Sequence, residues 1–207
     1  MYDELFAPSF PAGELEPASS IAASLDAGEG SLFVAVDEAG EAAGAAFGRW
    51  SAASRIQLLT YLAVHARTRG AGLGGRLLGE AVAAWAERYA PCAVVAEIES
   101  PDAVAQVAAH GDPRRRLAFY RSAGAKVLDL PYFQPGIGGP EGRIRGMLLL
   151  VLHADTPFTP APDRFAGEAL RAFLTEYLEA SEGDTPTDAE AAALLEATDR
   201  PGGVPLE

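Results

Sequence analysis

The segment Arg69-Gly70-Ala71-Gly72-Leu73-Gly74-Gly75 lies between a strand-like apolar run, residues 56–64, and a long amphipathic run. The amphipathic run places five apolar residues on one helical face: Leu77, Leu78, Val82, Trp85 and Tyr89. Glycines let a backbone approach a ligand closely, and the start of a helix offers unpaired N–H groups with partial positive charge. The order strand, glycine-rich loop and helix therefore predicts a binding site for a phosphate-bearing ligand.

Composition and charge narrow the class of protein. The 207 residues are 49% hydrophobic, which predicts one globular domain with room for an appendage. No apolar run approaches the roughly 20 residues of a membrane span, and the N-terminus lacks a signal-peptide pattern. Cys92 is the single cysteine, which excludes an intramolecular disulfide and favours a cytoplasmic location, and the three histidines show no metal-ligand spacing.

The net charge of −13 is concentrated at one end of the chain. Residues 155–207 contain 12 acidic and three basic residues, a net charge of −9. Such an acidic chain is not expected to bind nucleic acid, whereas an amine-bearing substrate would be attracted to it electrostatically.

The order of elements predicts the fold class. A helix is expected over residues 14–25, and a Pro113-initiated helix over 113–123. The expected strands cover six runs of the chain: 31–36, 42–50, 55–65, 92–98, 126–130 and 147–153. Together with the helix after the glycine loop, these elements predict a mixed α/β (α+β) fold. Its sheet is mostly antiparallel, with one right-handed βαβ crossover at the centre.

The C-terminal segment is expected to lie outside this domain. We predict a domain over residues 1–154 and an acidic helical extension over 155–207. Within the extension, Asp163 is expected to cap a helix that ends near Ala180, and Thr187 to open a capping box for a second helix. Residues 200–207 are expected to be disordered.

Two other glycine-loop chemistries compete for the segment at 69–75. A Walker A loop fails, because Gly75 is followed by Arg76 and not by Lys and Ser or Thr. The dinucleotide fingerprint G-x-G-x-x-G is satisfied by Gly70, Gly72 and Gly75, with Glu97 near the distance of a ribose-binding acid. Against it, five residues separate Val64 from Gly70, and the later sequence lacks further βαβ units.

A third interpretation accounts for more residues. The run Leu62-Ala63-Val64, then Arg69, Gly72 and Gly74, then Leu77-Leu78, resembles motif A of the GNAT superfamily of acyl-CoA-dependent N-acyltransferases. About fifty residues later, the run from Leu117 to Ala125 resembles motif B of the same family, with Tyr120 as its tyrosine.

The resemblance implies a GNAT fold over roughly residues 10–153 and direct transfer of an acetyl or short acyl group from acetyl-CoA to a primary amine. The implied cofactor-binding residues are Leu62, Ala63, Val64, Arg69, Gly70, Ala71, Gly72, Leu73, Gly74 and Gly75. Tyr120 is the implied general acid. Glu97 and Glu99, alternate residues on one strand face, are candidates for the general base, and His65 is a weaker one.

Several alternatives remain open at this point. The chain is a candidate for an NAD(P)-binding oxidoreductase that uses Gly70, Gly72 and Gly75, or for an acyl-CoA-binding regulator without turnover. The identity of the acceptor amine and a homodimeric state are also left open. No metal is expected to take part.

Overall fold

The computed structural model describes residues 1–11, 13–103, 111–183 and 186–207. Its main sheet has six strands in the order β1-β2-β3-β4-β6-β5. The strands of the chain are β1 Gly30–Val36, β2 Ala42–Ser51, β3 Ile56–Val64, β4 Ala93–Glu99, β5 Lys126–Val127, β6 Met147–Ala154, β7 Arg164–Phe165 and β8 Val204–Pro205. The α-helices are α1 Ala18–Asp26, α2 Leu73–Tyr89, α3 Pro113–Ser122, α4 Gly167–Glu182 and α5 Ala189–Glu196.

The sheet is antiparallel except at its centre, where β3 and β4 run parallel. The connection between these two strands contains α2, so it is the βαβ crossover that the sequence predicts. The mixed, mostly antiparallel α/β fold is thus confirmed. None of the helices in the described part of the chain has the length and apolarity needed to cross a membrane.

Both faces of the central strands are covered, which explains the nearly continuous apolar sequence of β3. Helix α2 packs on one face, where Leu77, Leu78 and Trp85 join β-strand residues in one apolar cluster. The opposite face is covered at one end by the N-terminal segment, with Leu5 and Phe6, and at the other end by α4 and α5. The C-terminal helices therefore share an apolar core with the sheet.

Close packing of α2 explains the small residues of β2. A Cβ atom added at Gly48 would lie 2.9 Å from the Trp85 ring and 2.3 Å from the Gln57 amide nitrogen. Real Cβ atoms do not approach other atoms so closely, so only glycine allows the indole to seat against the strand.

Three helix starts differ from the sequence expectation. Helix α1 begins at Ala18 and not at residue 14, because Pro17 disfavours helical geometry in the residue before it. Helix α4 begins after Ala166, so Asp163 is not its cap, and Arg164 and Phe165 form a strand instead. The cap of α5 is Asp188 and not Thr187: its carboxylate accepts from the N–H groups of two first-turn residues.

The chain end is ordered, contrary to the predicted disorder of residues 200–207. Val204 and Pro205 pair with β7, and Val204 is fully buried. Glu207 exchanges two backbone hydrogen bonds of 2.9 Å with Val127, which extends the edge of the main sheet. The sheet edge supplies hydrogen-bond partners for the backbone of these residues. The domain boundary at residue 154 stays a prediction.

A buried ion cluster joins the segment between β5 and β6 to the C-terminal helices. The Arg143 side chain, 2% exposed, donates two hydrogen bonds of 2.7 Å to the Glu182 carboxylate, which is 1% exposed. Arg143 also bonds Asp188, and its guanidinium lies 4.4 Å from the centre of the Phe133 ring. A bidentate pair of this kind fixes geometry, because both charges are removed from water and depend on each other.

We predict that Arg143→Leu destabilises the fold by about 3–5 kcal/mol, since it leaves the Glu182 carboxylate buried without its cation. Urea unfolding at pH 7 measures the change. Arg145→Leu is the matched control: Arg145 also binds an acid of the C-terminal segment, Glu190, but is 63% exposed, so its loss should cost at most about 1 kcal/mol. Equal losses in the two variants would contradict a stabilising role for the cluster.

Candidate active site

The central strands separate part of the way along their length, and a cavity opens between them. Parallel pairing runs from Ile56 with Ala93 to Leu59 with Ala96 and then stops. At the same point β3 carries a bulge, because Phe47 pairs with Tyr61 while the next residue of β2, Gly48, pairs with Leu59. Beyond this point the two strands line a cavity of about 240 Å³. Its lining residues are Ser9, Phe10, Pro11, Glu14, Leu59, Thr60, Tyr61, Leu62, Ala63, Val64, Arg69, Glu97, Ile98, Glu99, Arg116, Tyr120, Gln134 and Met147.

The end of β3 presents backbone groups to this cavity. The His65 N–H donates to Ala43 on β2, so by strand alternation the backbone groups of Leu62 and Val64 point the other way, toward the gap. Ala63 is two residues from His65, so by the same alternation its backbone groups face β2, although the residue lines the cavity. The Arg69 guanidinium donates to the Val64 carbonyl, with 3.2 Å between nitrogen and oxygen.

The glycine-rich loop presents a run of unpaired amides. In the described part of the chain, the N–H groups of Gly70 through Gly75 have no hydrogen-bond acceptor, and the next N–H, of Arg76, bonds the Gly72 carbonyl. Gly70 and Gly72 have φ values of +86° and +78°, a backbone conformation that other residues adopt only with strain. Residues 69–72 are exposed, and α2 begins at Leu73. The segment can therefore receive an anion at the N-terminus of α2.

Glu97 lies in the cavity wall between two tyrosines. The Tyr132 hydroxyl donates to Glu97 Oε1, and the Tyr177 hydroxyl donates to Glu97 Oε2 at 3.1 Å. Burial raises the pKa of Glu97 to about 7; the two tyrosine hydrogen bonds act in the opposite direction, and the nearby Glu14 charge adds to the rise. A carboxyl group with this pKa exchanges its proton near neutral pH.

Glu99 lines the same cavity but has a different partner. Its Oε2 accepts from Arg116 at 2.8 Å, in a pair whose side chains are 36% and 29% exposed. The structure thus brings both predicted glutamates to one cavity and distinguishes them by their neighbours. His65 does not line the cavity; its Nδ1 accepts from the Arg67 N–H at 3.2 Å and caps the turn after β3.

Tyr120 enters the cavity from α3, on the side opposite the N-terminal segment. Its side chain is 7% exposed, and burial raises its pKa to about 12, while the Arg116 charge lowers it. The hydroxyl therefore keeps its proton at neutral pH and can donate a hydrogen bond.

Several residues of the cavity are not apparent from the sequence. Ser9, Phe10, Pro11 and Glu14 come from the N-terminal segment, whose position is set by Tyr61: its hydroxyl accepts from the Glu16 N–H and donates to the Glu14 carbonyl. Gln134 comes from the segment between β5 and β6. Tyr177 of the C-terminal extension does not line the cavity but bonds Glu97 in its wall, and no signal in the sequence pointed to this contact.

Cys92 lies at the start of β4, away from the cavity. It is fully buried, and burial raises its pKa to about 11, so it is a core residue as expected. Its thiol, His153 and Asp155 bring potential metal-ligand atoms within 4.8 Å of one another, a proximity that the histidine spacing did not indicate. Asp155 already accepts from the Cys92 N–H at 2.7 Å and lies 3.3 Å from the His153 ring.

The topology does not support the dinucleotide-binding alternative. A doubly wound domain needs several parallel strands, whereas the described sheet has one parallel pair, β3 with β4. Glu97, the residue that would bind a ribose, is instead bonded to two tyrosines.

Comparison with known proteins agrees with this geometry. Residues 28–124 match the family model described as an acetyltransferase (GNAT) domain, and the match includes the glycine-rich loop and Tyr120. No curated protein sequence matches the chain.

Two solved structures share the fold. A protein described as a GNAT-family acetyltransferase from Bacteroides thetaiotaomicron is 22% identical, with a TM-score of 0.57, over 74% of this chain and 78% of its own. A Bacillus subtilis acetyltransferase, solved in complex with CoA, is 16% identical, with a TM-score of 0.50, over 75% of this chain and 94% of its own. At these identities the likeness shows the fold, and the family model adds an acetyltransferase (GNAT) domain over residues 28–124, slightly less than half of the chain.

Proposed function

We propose that this protein transfers an acetyl group from acetyl-CoA directly to a primary amine. The observation that carries the proposal is one cavity with two kinds of wall. One wall offers backbone groups of β3 and ends at Arg69, where the glycine-rich loop before α2 begins, and the other wall offers Glu97 and Tyr120. A thioester cofactor that carries phosphates at one end and the acyl group at the other would need both walls.

The proposed cofactor site follows the predicted residues. The N–H groups of residues 70–75 suit the pyrophosphate, and the open edge of β3 at Leu62 and Val64 suits the amide-bearing pantetheine arm as an added strand. Ala63, Ala71 and Leu73 belong to the same two backbone segments. Arg69 can make two contacts, because its Nε donates to the Val64 carbonyl and its terminal N–H groups can donate to a phosphate. The B. subtilis structure, solved with CoA, supports a CoA ligand on this fold.

The catalytic roles follow from the charges of the groups in the cavity. Glu97 is the proposed general base, because a pKa of about 7 lets it take a proton from the amine at neutral pH. Tyr120 is the proposed donor to the departing thiolate, and the Val64 N–H the proposed donor to the carbonyl oxygen. Glu99 is proposed to hold Arg116 at the cavity rather than to act as the base, since its carboxylate is bonded to that cation.

No cysteine acyl-enzyme is proposed. Cys92, the single cysteine, is fully buried and does not line the cavity. Direct transfer from the thioester to the amine therefore needs only the residues named above. A cytoplasmic location and a homodimeric state stay predictions.

Acetyl-CoA should raise the midpoint of thermal unfolding by about 5–10 °C at about 100 times its Kd, while NAD and NADP should leave it unchanged. Gly72→Ala should weaken acetyl-CoA binding about ten-fold, because alanine at a φ of +78° distorts the amides that receive the phosphate. Gly79→Ala is the control: Gly79 lies inside α2 without a positive φ and has open space for a Cβ atom, so this change should preserve binding. A response to NAD alone would contradict the proposed ligand.

Glu97→Gln and Tyr120→Phe should each lower kcat by about 10²–10⁴-fold with acetyl-CoA binding retained. The assay follows release of the CoA thiol over a panel of primary amines, and calorimetry measures acetyl-CoA binding. Acetyl-CoA binding by the native protein without thiol release on any amine would favour a regulator that does not turn over.

The free energy of unfolding should also depend on the ionisation of Glu97. Its pKa is higher in the folded chain than the usual 4.5, so folding favours the protonated form, and stability falls as pH rises from about 4.5 through 7. Glu97→Gln, which mimics the neutral form, should be more stable than the native protein at pH 8, by up to about 3 kcal/mol, and similar to it at pH 4.5. Urea unfolding at both pH values tests this, and a constant difference would contradict a raised pKa.

A further inference from the structure

The C-terminal extension contacts the proposed catalytic centre through one side chain. Tyr177, on α4, donates its hydroxyl hydrogen to Glu97 Oε2 at 3.1 Å, across 80 residues of sequence. Tyr132, in the segment after β5, donates to the other oxygen of the same carboxylate. Glu97 is thus held from two sides by groups that lie outside its own strand.

The orientation of Tyr177 is set by the packing of α4. Its neighbours on the helix, Phe173, Leu174 and Leu178, are buried in the core that the extension shares with the sheet. The rings of Phe173 and Tyr177 lie 5.7 Å apart. Polar bonds also anchor α4 before and after Tyr177 in the chain: Ser51 Oγ donates to Glu176 at 2.5 Å, and Arg143 binds Glu182. Rotation of the helix, which would withdraw the hydroxyl, is therefore opposed by both apolar and polar contacts.

We propose that Tyr177 is a positioning residue for Glu97, and that helix α4 of the C-terminal extension thereby completes the active site. The inference rests on the proposed role of Glu97 as general base. Tyr132 and Tyr177 each occupy one lone pair of the carboxylate, which holds one rotamer and leaves the remaining lone pairs for the amine proton.

The two hydroxyls are suited to donate and not to ionise. Burial and the Glu97 charge raise the pKa of both Tyr132 and Tyr177 well above the usual value, so both keep their protons at neutral pH. Donation to the charged carboxylate favours ionised Glu97 and partly offsets the effect of burial on its pKa. Among the described residues, the other charged or titratable groups that face it are Glu14 and Tyr61, with the Glu99–Arg116 pair in the same cavity.

Tyr177→Phe should therefore shift the acidic limb of the plot of kcat/KM against pH to higher pH, by about one unit. A shift of this size lowers kcat/KM about five-fold at pH 7 and leaves it nearly unchanged at pH 9, where Glu97 is ionised in both proteins. Tyr89→Phe is the matched control, because the Tyr89 hydroxyl is buried without a hydrogen-bond partner among the described residues and lies outside the cavity. That variant should keep the native profile.

A second measurement separates this inference from the proposed function. Carbon-13 NMR of protein labelled at the glutamate carboxyls, with the Glu97 signal assigned by its loss in Glu97→Gln, reports the carboxyl pKa without turnover. Tyr177→Phe should raise that pKa by about one unit. Full activity of Glu97→Gln would overturn the catalytic role of Glu97 but not the hydrogen bond. An unchanged carboxyl pKa in Tyr177→Phe, or a loss of activity that is equal at every pH, would overturn the positioning role.

Discussion

The separation of β3 from β4 is the constraint on which the site depends. Two parallel strands that stay paired leave no room between them, whereas these two pair over four residues and then diverge at a bulge. The divergence turns the backbone groups of Leu62 and Val64 toward the gap and places Glu97 and Glu99, at the end of β4, in the cavity wall. An exposed strand edge is ordinarily a liability, and in our proposal the pantetheine arm of the cofactor pairs with this one.

The segments around the gap explain why the strands can remain apart. The N-terminal segment is bonded to Tyr61 of β3, whereas α4 and the segment between β5 and β6 reach Glu97 of β4 through Tyr177 and Tyr132. The buried Arg143–Glu182 pair holds the last two elements together. Each wall of the cavity is thus supported from outside the sheet. The catalytic geometry therefore depends on segments that are remote in sequence, in addition to the loop that binds the cofactor in our proposal.

Local sequence signals identified the elements better than their boundaries. Hydrophobic periodicity located β3, α2 and β4, because burial of one or both faces of an element sets the spacing of its apolar residues. The helix starts at Ala18 and Gly167 differed from expectation, since a cap depends on the path of the preceding chain. The last residues were expected to be disordered, but the edge of the sheet, whose position the sequence does not reveal, binds their backbone.

By itself, the sequence determined the glycine loop, the strand before it and the helix after it. It also identified Glu97, Glu99 and Tyr120 as candidates near the gap. These features follow from short-range spacing and from the alternation of side chains along a strand. Only the tertiary structure decided which glutamate is suited to act as a base. Glu97 and Glu99 are two residues apart and equivalent by pattern, and they differ because one meets buried tyrosine hydroxyls and the other meets Arg116. The pKa of a carboxyl group depends on its burial and its neighbours, and these are set by segments that folding brings together from distant parts of the chain.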